Sequence, residues 1–464
     1  MNKAAVVSVS EDLLRQFDIS GPRYITYPTA DRFVEAFSAD DYSQALQLRR
    51  TGAVMALPLA IYVYIPFCES LCYYCACNKV ITKRHDRSAS YLNYLSREVD
   101  LHVAQLGVGK NVTQLHLGGG TPTFLSDDEL RDLMGMLRRN FTLALTGEYS
   151  IEVDPRTINA SRLDLLADLG FNRLSFGVQD FDPVVQKTVH RVHTVEQFSG
   201  LFDSARQRGF DSINIDLMYG LPRQSLESFA RTLAQVIALR PDRIALYAYA
   251  HSPERFKPQR RIVSTDLPTI DVKVTMLSRS VAALIEAGYV HVGIGHFTLM
   301  TDALAIAKRQ GRLHRNSQGY STQPDGDLIG LGMSSMSRMG ATYSQNAMTL
   351  DDYYDHLDQG RFPVVRGLGL SRDDLVRRAV IMALMCQGEI LFESIELAHL
   401  IAFRSYFAAE MVALQSLAEH GLVTLDDSGI QVSSMGWFFL RTVAVVFDRY
   451  LQSDRTRARF SKII

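Results

Sequence analysis

The sequence predicts an α/β protein, in which a partial parallel barrel carries a smaller, mainly helical C-terminal domain. Short β-branched or aromatic runs alternate with amphipathic stretches from residue 59 onward, the pattern of successive β/α units on a parallel sheet. The runs recur about every 30 to 40 residues, enough for a strand and its returning helix. After about residue 365 helices replace this alternation. We therefore expect a (β/α)6-type, TIM-like partial barrel over 51–365, an N-terminal cover segment over 1–50 and a helical domain over 366–464.

The strands of the barrel are predicted from buried apolar runs. Parallel strands covered on both faces are nearly continuous in apolar residues, as IYVYI and RIALYAY are. The predicted strands cover 61–65, 112–117, 149–153, 173–176, 212–218, 243–249 and 289–294. Ser126 with Glu129, and Thr194 with Gln197, have the capping-box spacing that starts a helix.

The C-terminal region is predicted to contain helices over 371–386 and 402–420, followed by a hairpin in LVTLDDSGIQVS. This order resembles a winged-helix domain. A DNA-binding domain of that kind needs a basic recognition helix, whereas these helices carry mixed charge. We therefore predict a cap over the substrate rather than a DNA-binding domain.

Composition and charge exclude several classes of protein. The net charge of −1 at pH 7 argues against a general binder of nucleic acid or membrane surfaces, which would need a basic field. The apolar stretch over 53–68 is interrupted by Pro58 and Pro66, so it predicts a buried strand and not a membrane span. Acidic residues come too early at the N-terminus for a secretory leader. We expect a cytoplasmic protein.

The cysteines indicate a metal cluster. Four of the five lie between positions 68 and 77, unlike the scattered cysteines of a disulfide framework. Cys386 lies in the apolar run AVIMALMC and is expected to pack in the core.

Cys68, Cys72 and Cys75 have CxxxCxxC spacing directly after the first predicted strand. Three thiolates on one loop can hold three irons of a 4Fe-4S cluster and leave the fourth iron open for chemistry. The alternative is structural zinc, but zinc usually takes two separated pairs of ligands, and these cysteines lie within ten consecutive residues. Tyr73 and Tyr74 are expected to shield the cluster from water.

The remaining polar motifs also follow predicted strands, where a parallel barrel carries its active site. The glycine turn GGGTPT follows the second strand and permits close approach of its backbone to a ligand. Further polar or loop positions at strand ends are Glu152, Gln179, Asp216 and Ala250 with His251. Asp154 precedes Pro155, a pair typical of a turn start, and we assign it no place in the site.

These motifs together resemble a known superfamily. YIPFCESLCYYCACNK, LHLGGGTPTFL and SIEVDP are similar to the radical S-adenosylmethionine enzymes. The fourth cysteine, Cys77, with PRYITYPTA, FGVQDF, NIDLMYGLP and LHRNSQGY, is similar to the oxygen-independent coproporphyrinogen III oxidases, from end to end. The resemblance implies oxidative decarboxylation of coproporphyrinogen III to protoporphyrinogen IX by a 5'-deoxyadenosyl radical, in haem biosynthesis.

The resemblance also implies roles for individual residues. Cys68, Cys72 and Cys75 would ligate the cluster and, with Glu152, form the catalytic set, whereas Cys77 is a family marker without a derived role. The residues implied to bind S-adenosylmethionine are Tyr62, Tyr74, Gly119, Glu152 and Met336. The residues implied to hold a second S-adenosylmethionine are Gly120, Thr121, Gln179, Arg191, Asp216 and Ala250. A small reducing protein such as a flavodoxin would supply electrons, and we expect a monomer.

Other charged residues leave two interpretations open. The basic run of Arg255, Lys257, Arg260 and Arg261 either meets substrate propionates through charge-assisted hydrogen bonds or is a solvated face. Arg23 is a similar candidate. The histidines that lack metal-ligand spacing, and are interpreted as structural, are His116, His251 and His314.

Two positions depart from the family pattern. Gly295 stands where the family usually has aspartate, and Ser317 stands where it usually has phenylalanine, so a carboxylate and an aromatic ring are lost from the expected active face. Two alternatives remain: a paralogue using the same radical chemistry on another tetrapyrrole, and a haem-binding or haem-delivery protein. Relatives of the second kind typically lack Cys77 and the PRYITYPTA segment, both present here.

Overall fold

A long mixed sheet is the frame of the protein. The computed structural model describes residues 9–17, 19, 21–51, 58–316 and 318–453. In this part of the chain, twelve strands pair in one sheet. The strands in chain order are β1 Leu59–Ile65, β2 Phe67–Cys68, β3 Val80–Ile81, β4 Lys110–Gly119, β5 Phe141–Val153, β6 Arg173–Gln179, β7 Ser212–Tyr219, β8 Arg243–Ala248, β9 Tyr289–Gly293, β10 His296–Leu299, β11 His314–Asn316, β12 Gly319–Ser321, β13 Leu328–Leu331, β14 Met336–Met339, β15 Thr342–Asn346, β16 Val364–Gly369, β17 Glu389–Leu391, β18 Val423–Leu425 and β19 Gly429–Val432.

Helices follow most of the barrel strands and cover their outer faces. The α-helices in chain order are α1 Glu11–Gln16, α2 Ala39–Thr51, α3 Asp86–Leu106, α4 Asp127–Asn140, α5 Ala160–Asp168, α6 Pro183–Thr188, α7 Val195–Gln207, α8 Leu226–Leu239, α9 Ile270–Glu286, α10 Ala303–Arg309, α11 Leu350–Asp358, α12 Arg372–Gln387, α13 Phe392–His399, α14 Phe403–Tyr406, α15 Ala408–Glu419, α16 Leu440–Val445 and α17 Arg449–Ser453. Both predicted capping boxes are confirmed, at the starts of α4 and α7. No helix of the described chain is long and apolar enough to cross a membrane.

The barrel consists of β1 and β4 to β8, which pair in parallel in chain order. The seven predicted strands are all present, as β1 and β4 to β9, and the predicted partial barrel is confirmed. Burial alternates along β6, where Leu174, Phe176 and Val178 are buried and the residues between them are half-buried. The buried side chains contribute to the apolar core, and the alternate positions, including Ser175 and Gln179, line the barrel cavity.

The seventh predicted strand, β9, does not continue the parallel series. The antiparallel strand β10 lies between β8 and β9, so the barrel ends in a hairpin at this edge. At the other edge β13 pairs in parallel with β1, and β14 to β16 extend the sheet in antiparallel fashion. Neither extension was predicted, because these strands have only four to six residues and show no clear period.

The C-terminal region is mainly helical, as predicted. Ser371 caps α12 in a capping box with Asp374, and β18 and β19 form the predicted hairpin, joined by β17. The helix predicted over 402–420 is instead two helices, α14 and α15, which meet at Phe407. Cys386 is buried in the core, as expected.

The N-terminal segment is held against the C-terminal helices. The Tyr24 hydroxyl donates to Asp448 at 3.0 Å, and Arg441 Nε donates to the carbonyl oxygen of Pro22 at 3.2 Å. Tyr24 is fully buried. This contact brings the neighbouring Arg23 to the wall of the barrel cavity.

Candidate active site

The cysteine loop follows β1 and is held closed at its two ends. β2 and β3 pair in parallel, with Cys68 opposite Ile81. The Tyr64 hydroxyl donates to the carbonyl oxygen of Asn78 at 2.5 Å, and the Asn78 amide donates to Ser334 at 2.6 Å. Residues 69–79 therefore form a loop anchored to the barrel on both sides.

The four cysteines of this loop line one cavity of about 400 Å³ at the carboxyl ends of the barrel strands. Cys68 and Cys72 are buried, Cys75 is half-buried and Cys77 is exposed, and all four are free thiols. A hydrogen bond from Cys77, with Lys79 nearby, lowers the pKa of Cys75 to about 6. Burial raises the pKa of Cys68 to about 11. Cys75 is thus more readily ionised than Cys68.

The thiols fit a cluster better than a single metal ion. Among the described residues no group of three His, Cys, Asp or Glu side chains is close enough together to hold one ion. A cubane offers a separate iron to each thiolate, so its ligands need only surround one space. Cys68, Cys72 and Cys75 do so. The donor set and the cavity therefore suit a 4Fe-4S cluster.

Two arginines and one aspartate lie against the sulfur of Cys72. Arg156 Nη2 and Arg191 Nη1 donate to Cys72 Sγ at 3.4 and 3.5 Å. Asp154 accepts from the same nitrogens at 2.6 and 2.9 Å. The two guanidinium groups outweigh burial and hold the pKa of Asp154 below its usual value. Positive charge is thereby fixed beside one of the predicted cluster ligands.

The glycine turn after β4 fits closely against the cysteine loop. Gly119 has φ of 113°, and a Cβ on Gly120 would lie 2.7 Å from the carbonyl oxygen of Pro66. The Gly120 amide donates to the carbonyl oxygen of Ile65 at 2.7 Å. The Thr121 hydroxyl lies 3.2 Å from Cys68 Sγ. Only glycine allows the backbone to reach this position.

Glu152 presents a carboxylate to the cavity. Its side chain is 44% exposed, and His116 Nε2 lies 3.2 Å from Oε1. His116 Nδ1 lies 2.6 Å from the Ser150 hydroxyl, and the imidazole stacks on Tyr62 at 5.5 Å. Burial, with the charge of Glu152, raises the pKa of Tyr62, which stays neutral. His116 therefore positions an acidic side chain that is free to accept ligand hydroxyls.

Polar groups on β6 and β7 complete the wall. Burial raises the pKa of Asp216 to about 6, against hydrogen bonds from Asn214 and Ser175. Gln179 has φ of 69°, and its Oε1 is buried without a hydrogen-bond partner among the described residues. Gln179, with its unpaired carbonyl oxygen, and Asp216 thus line the same cavity as the cysteines.

Most residues singled out from the sequence lie together. The predicted residues that line the cavity are Cys68, Cys72, Cys75, Tyr74, Gly119, Gly120, Thr121, Glu152, Gln179, Arg191, Asp216 and Ala250. Tyr62 lies beside it, against His116. Met336 is not brought to the cavity but to a separate pocket of about 20 Å³. Met336 lies on β14, and β13 separates this strand from β1 at the cavity.

Of the two departures from the family pattern, Gly295 lies apart from the cysteines. Gly295 lies in the turn between β9 and β10 and lines a separate, mainly apolar pocket of about 70 Å³. Its φ is 69°, and a Cβ there would be 2.2 Å from the carbonyl oxygen of Leu246, so this backbone excludes a side chain. Ser317 lies outside the described residues.

The structure adds residues that the sequence did not single out for the site. Asp154 was interpreted as a turn residue, yet its carboxylate lines the cavity with Arg156. Gln259 lies in the basic run, and it is buried and donates to the carbonyl oxygens of Tyr74 and Ala250. The four basic residues of that run are exposed. Only contacts between distant segments reveal these roles.

Comparison with known proteins identifies the family of the chain. The radical SAM superfamily model matches residues 62–236, and the HemN C-terminal domain model matches residues 370–439. An oxygen-independent coproporphyrinogen III oxidase of Pseudomonas aeruginosa is 49% identical, with 98% of both chains covered. Its counterpart from Escherichia coli is 44% identical over 97% of this chain and 98% of that protein. The solved structure of the coproporphyrinogen III oxidase from Escherichia coli superposes with a TM-score of 0.88, covering 93% of this chain and all of that one.

Proposed function

This chain belongs to the oxygen-independent coproporphyrinogen III oxidases, within the radical S-adenosylmethionine superfamily, and on that premise we propose that it converts coproporphyrinogen III to protoporphyrinogen IX in haem biosynthesis. The protein is an oxidoreductase with a 4Fe-4S cluster and S-adenosylmethionine as cofactors. One observation carries the proposal: the three cysteines surround the same cavity as the polar ends of β4 to β7.

When bound, a reduced cluster and S-adenosylmethionine would supply radical chemistry that can take a hydrogen atom from a propionate side chain of the substrate. The protein's task is to bind, to orient and to exclude water. Cys68, Cys72 and Cys75 would hold the cluster, and Tyr73, next to Cys72, stacks on His190. The loop, anchored at both ends, would keep the cluster fixed relative to the glycine turn.

S-adenosylmethionine binds through the side of the cavity nearest β1, β4 and β5. Glu152 accepts hydrogen bonds from ribose hydroxyls, and Tyr62 and Gly119 complete its surroundings. Met336 belongs to the same proposed set, although it lines a different pocket.

A second S-adenosylmethionine binds at Gly120, Thr121, Gln179, Arg191, Asp216 and Ala250. The support is chemical: Gln179 Oε1 is a buried acceptor without a partner, and Asp216 is a buried carboxyl whose pKa of about 6 leaves it able to ionise beside a cationic ligand. An ammonium or sulfonium group would stabilise the carboxylate form.

The remaining parts of the proposal concern the surroundings of the enzyme. The chain acts as a monomer in the cytoplasm, where its five free thiols stay reduced. A small reducing protein such as a flavodoxin delivers the electron. The chain itself binds no nucleic acid and no membrane, in keeping with its net charge of −1. The N-terminal cover segment ends near residue 50, and the C-terminal domain begins near residue 366.

Anaerobic reconstitution followed by product analysis tests the function. We expect a brown protein with about four irons per chain, which converts coproporphyrinogen III to protoporphyrinogen IX as it cleaves S-adenosylmethionine. Cleavage without vinyl products would contradict the substrate and favour another tetrapyrrole. Tight haem binding without cleavage would favour haem delivery.

Cysteine variants test the cluster separately, with iron content and visible absorbance as readouts. Alanine at Cys68, Cys72 or Cys75 should remove the cluster, because each supplies one iron with its ligand. Cys77→Ala is the matched control from the same loop and should keep the cluster. One stoichiometric zinc in the wild-type protein would refute the cluster.

A further inference from the structure

Arg315, on β11, is a buried cation with unused hydrogen-bond donors. Only 4% of its surface is exposed. Nη2 donates to the carbonyl oxygen of Arg23 at 3.3 Å, but the buried Nε and Nη1 groups meet no acceptor among the described residues. Arginine cannot lose its proton to avoid this cost. A buried guanidinium whose N–H groups lack acceptors is therefore stabilised when an anion binds nearby.

Three ring side chains near Arg315 are neutral: Tyr320, His296 and Tyr247. Its guanidinium lies 4.6 Å from the centre of the Tyr320 ring. His296 lies against the same ring, and burial, with the charge of Arg315, lowers the pKa of His296 to about 3. The Tyr247 hydroxyl lies 3.1 Å from His296 Nε2, and burial raises the pKa of this tyrosine. None of these three side chains carries a negative charge at neutral pH.

The carboxylates nearest to Tyr247 already have partners. Asp216 accepts hydrogen bonds from Asn214 and Ser175, and Glu152 lies next to His116. They belong to the cofactor side of the cavity, as described above. The acceptor that Arg315 lacks is therefore not supplied by these acidic residues.

Arg23 provides a second positive charge at the same place. Its side chain is exposed, lines the cysteine cavity and lies 4.8 Å from the centre of the Tyr247 ring. Its backbone carbonyl is the acceptor for Arg315. Arg23 thus faces the open cavity, and Arg315 lies directly behind the Arg23 backbone.

We propose that Arg23 and Arg315 together bind a carboxylate of the substrate and so fix the orientation of the tetrapyrrole against the cofactors. The inference rests on the proposed function, because coproporphyrinogen III carries more propionates than the two it loses. A retained propionate supplies the carboxylate that Arg23 meets at the cavity wall, and its negative charge offsets the buried positive charge of Arg315 behind Arg23. Arg23 meets the carboxylate at the cavity wall, and Arg315 strengthens the interaction from a region of low dielectric constant.

The exposed basic run is the weaker candidate for this task. Arg260 donates to the carbonyl oxygen of Pro253, and Arg261 donates to the Tyr73 hydroxyl at 3.2 Å. Both are exposed to water, where pairing with a carboxylate gains little. Arg260→Gln therefore serves as the matched control.

Equilibrium binding of coproporphyrin III to the reconstituted protein, followed by fluorescence, tests the proposal. We expect Arg315→Gln and Arg23→Gln each to weaken binding about tenfold or more, because each removes a charged donor. Arg315→Lys should restore part of the affinity, and Arg260→Gln should leave it unchanged. The tetramethyl ester of coproporphyrin III, which lacks the carboxylates, should bind wild-type protein and both glutamine variants alike. In turnover the variants should raise KM more than they lower the rate of S-adenosylmethionine cleavage.

Different failures point to different errors. Wild-type affinity in both Arg23→Gln and Arg315→Gln would overturn the inference and leave the proposed function intact. Loss of affinity only in Arg260→Gln would assign the carboxylate to the basic run instead. Wild-type protein that neither binds nor converts a coproporphyrin would contradict the proposed function itself. If Arg315→Gln does not fold, the exposed Arg23→Gln still decides the matter.

Discussion

At the scale of single residues, the sulfur of Cys72 is notable because charged side chains lie against it. Arg156 and Arg191 both donate to it, and Asp154 fixes both guanidinium groups by accepting from them. Hydrogen bonds and positive charge at a ligand sulfur favour the more reduced cluster, because it carries more negative charge. These residues therefore make the cluster easier to reduce.

Arg156→Gln should lower the reduction potential of the reconstituted cluster, since one positive donor is lost. A shift of about 60 mV corresponds to a tenfold change in the one-electron equilibrium, and we expect a change of that order. A potentiometric titration followed by electron paramagnetic resonance measures it. Arg208→Gln breaks an Arg–Asp pair at the surface and is the control that should leave the potential unchanged. An unchanged or higher potential in Arg156→Gln would contradict the assignment.

Asp154 shows where residue-level prediction from the sequence ends. The Asp-Pro pair correctly predicted a local turn, and the Asp154 carbonyl oxygen accepts from the amide of Thr157. Its carboxylate, however, pairs with Arg191, which is 37 residues away. The three cysteines were recognisable because their spacing is local. A contact that depends on how two strands are placed leaves no such pattern.

At the scale of elements, the glycine turn after β4 packs tightly against the start of the cysteine loop. Gly120→Ala should push this turn away from Pro66, because the added Cβ would lie 2.7 Å from a carbonyl oxygen. Strain of about 1 to 3 kcal/mol is typical of such overpacking. We expect S-adenosylmethionine to bind about tenfold more weakly, as measured by equilibrium binding to reconstituted protein.

Gly200→Ala is the control for this substitution. Gly200 lies in α7, and a Cβ there meets no atom within 4 Å. Alanine should stabilise the helix by about 1 kcal/mol and leave cofactor binding unchanged. Equal effects of the two substitutions on binding would argue against a special role for the turn.

A buried glutamate on α3 connects the barrel to the part of the sheet that extends beyond β1. Glu98 accepts from the Gly332 amide at 2.7 Å, from Asn346 at 2.6 Å and from the Tyr353 hydroxyl at 2.6 Å. Burial nevertheless raises the pKa of Glu98 to about 7. The carboxyl is thus more easily ionised in the unfolded chain than in the folded one.

Stability should therefore depend on pH through Glu98. Its contribution is complete below the unfolded pKa of about 4.3 and is lost as pH rises through about 7, at most about 4 kcal/mol. In the wild-type protein without cofactors, the unfolding temperature should fall between those pH values. Glu98→Gln should make this fall smaller. The exposed Glu196→Gln on α7 should retain the wild-type pH dependence. An unchanged slope in Glu98→Gln would show that other groups govern it.

Helices and strands were predicted correctly where a segment is long enough to show a clear apolar pattern. The barrel strands and the starts of α4 and α7 have buried apolar runs and explicit caps, and both were predicted. The strands β10 and β13 to β16 were missed, because each gains its place by pairing at a sheet edge. The role implied for Met336 stays a prediction, and its strand β14 lies beyond β13.

At the scale of the whole molecule, residues 21–24 meet residues 441–448 beside the active site. Tyr24, Pro22 and Gly21 bind residues of the C-terminal helices, and the intervening Arg23 reaches the cavity. The sequence predicted a cover segment over 1–50 and a C-terminal cap, but it gave no sign that one holds the other. Partners separated by more than 400 residues are visible only in the folded chain.

Tyr24→Phe tests whether this contact fixes the segment that carries Arg23. The substitution removes a hydrogen bond to Asp448, which is only 2% exposed, and should destabilise the contact by about 1 to 3 kcal/mol. Amide hydrogen exchange of residues 21–27 should become faster, while iron content stays at the wild-type level because the cysteine loop is untouched. Tyr406→Phe is the matched control, since Tyr406 also donates to an aspartate but is 38% exposed. Faster exchange in Tyr24→Phe but not in Tyr406→Phe would show that the ends of the chain hold the carboxylate-binding arginine in place, whereas equal exchange in both would mean that other contacts fix the segment.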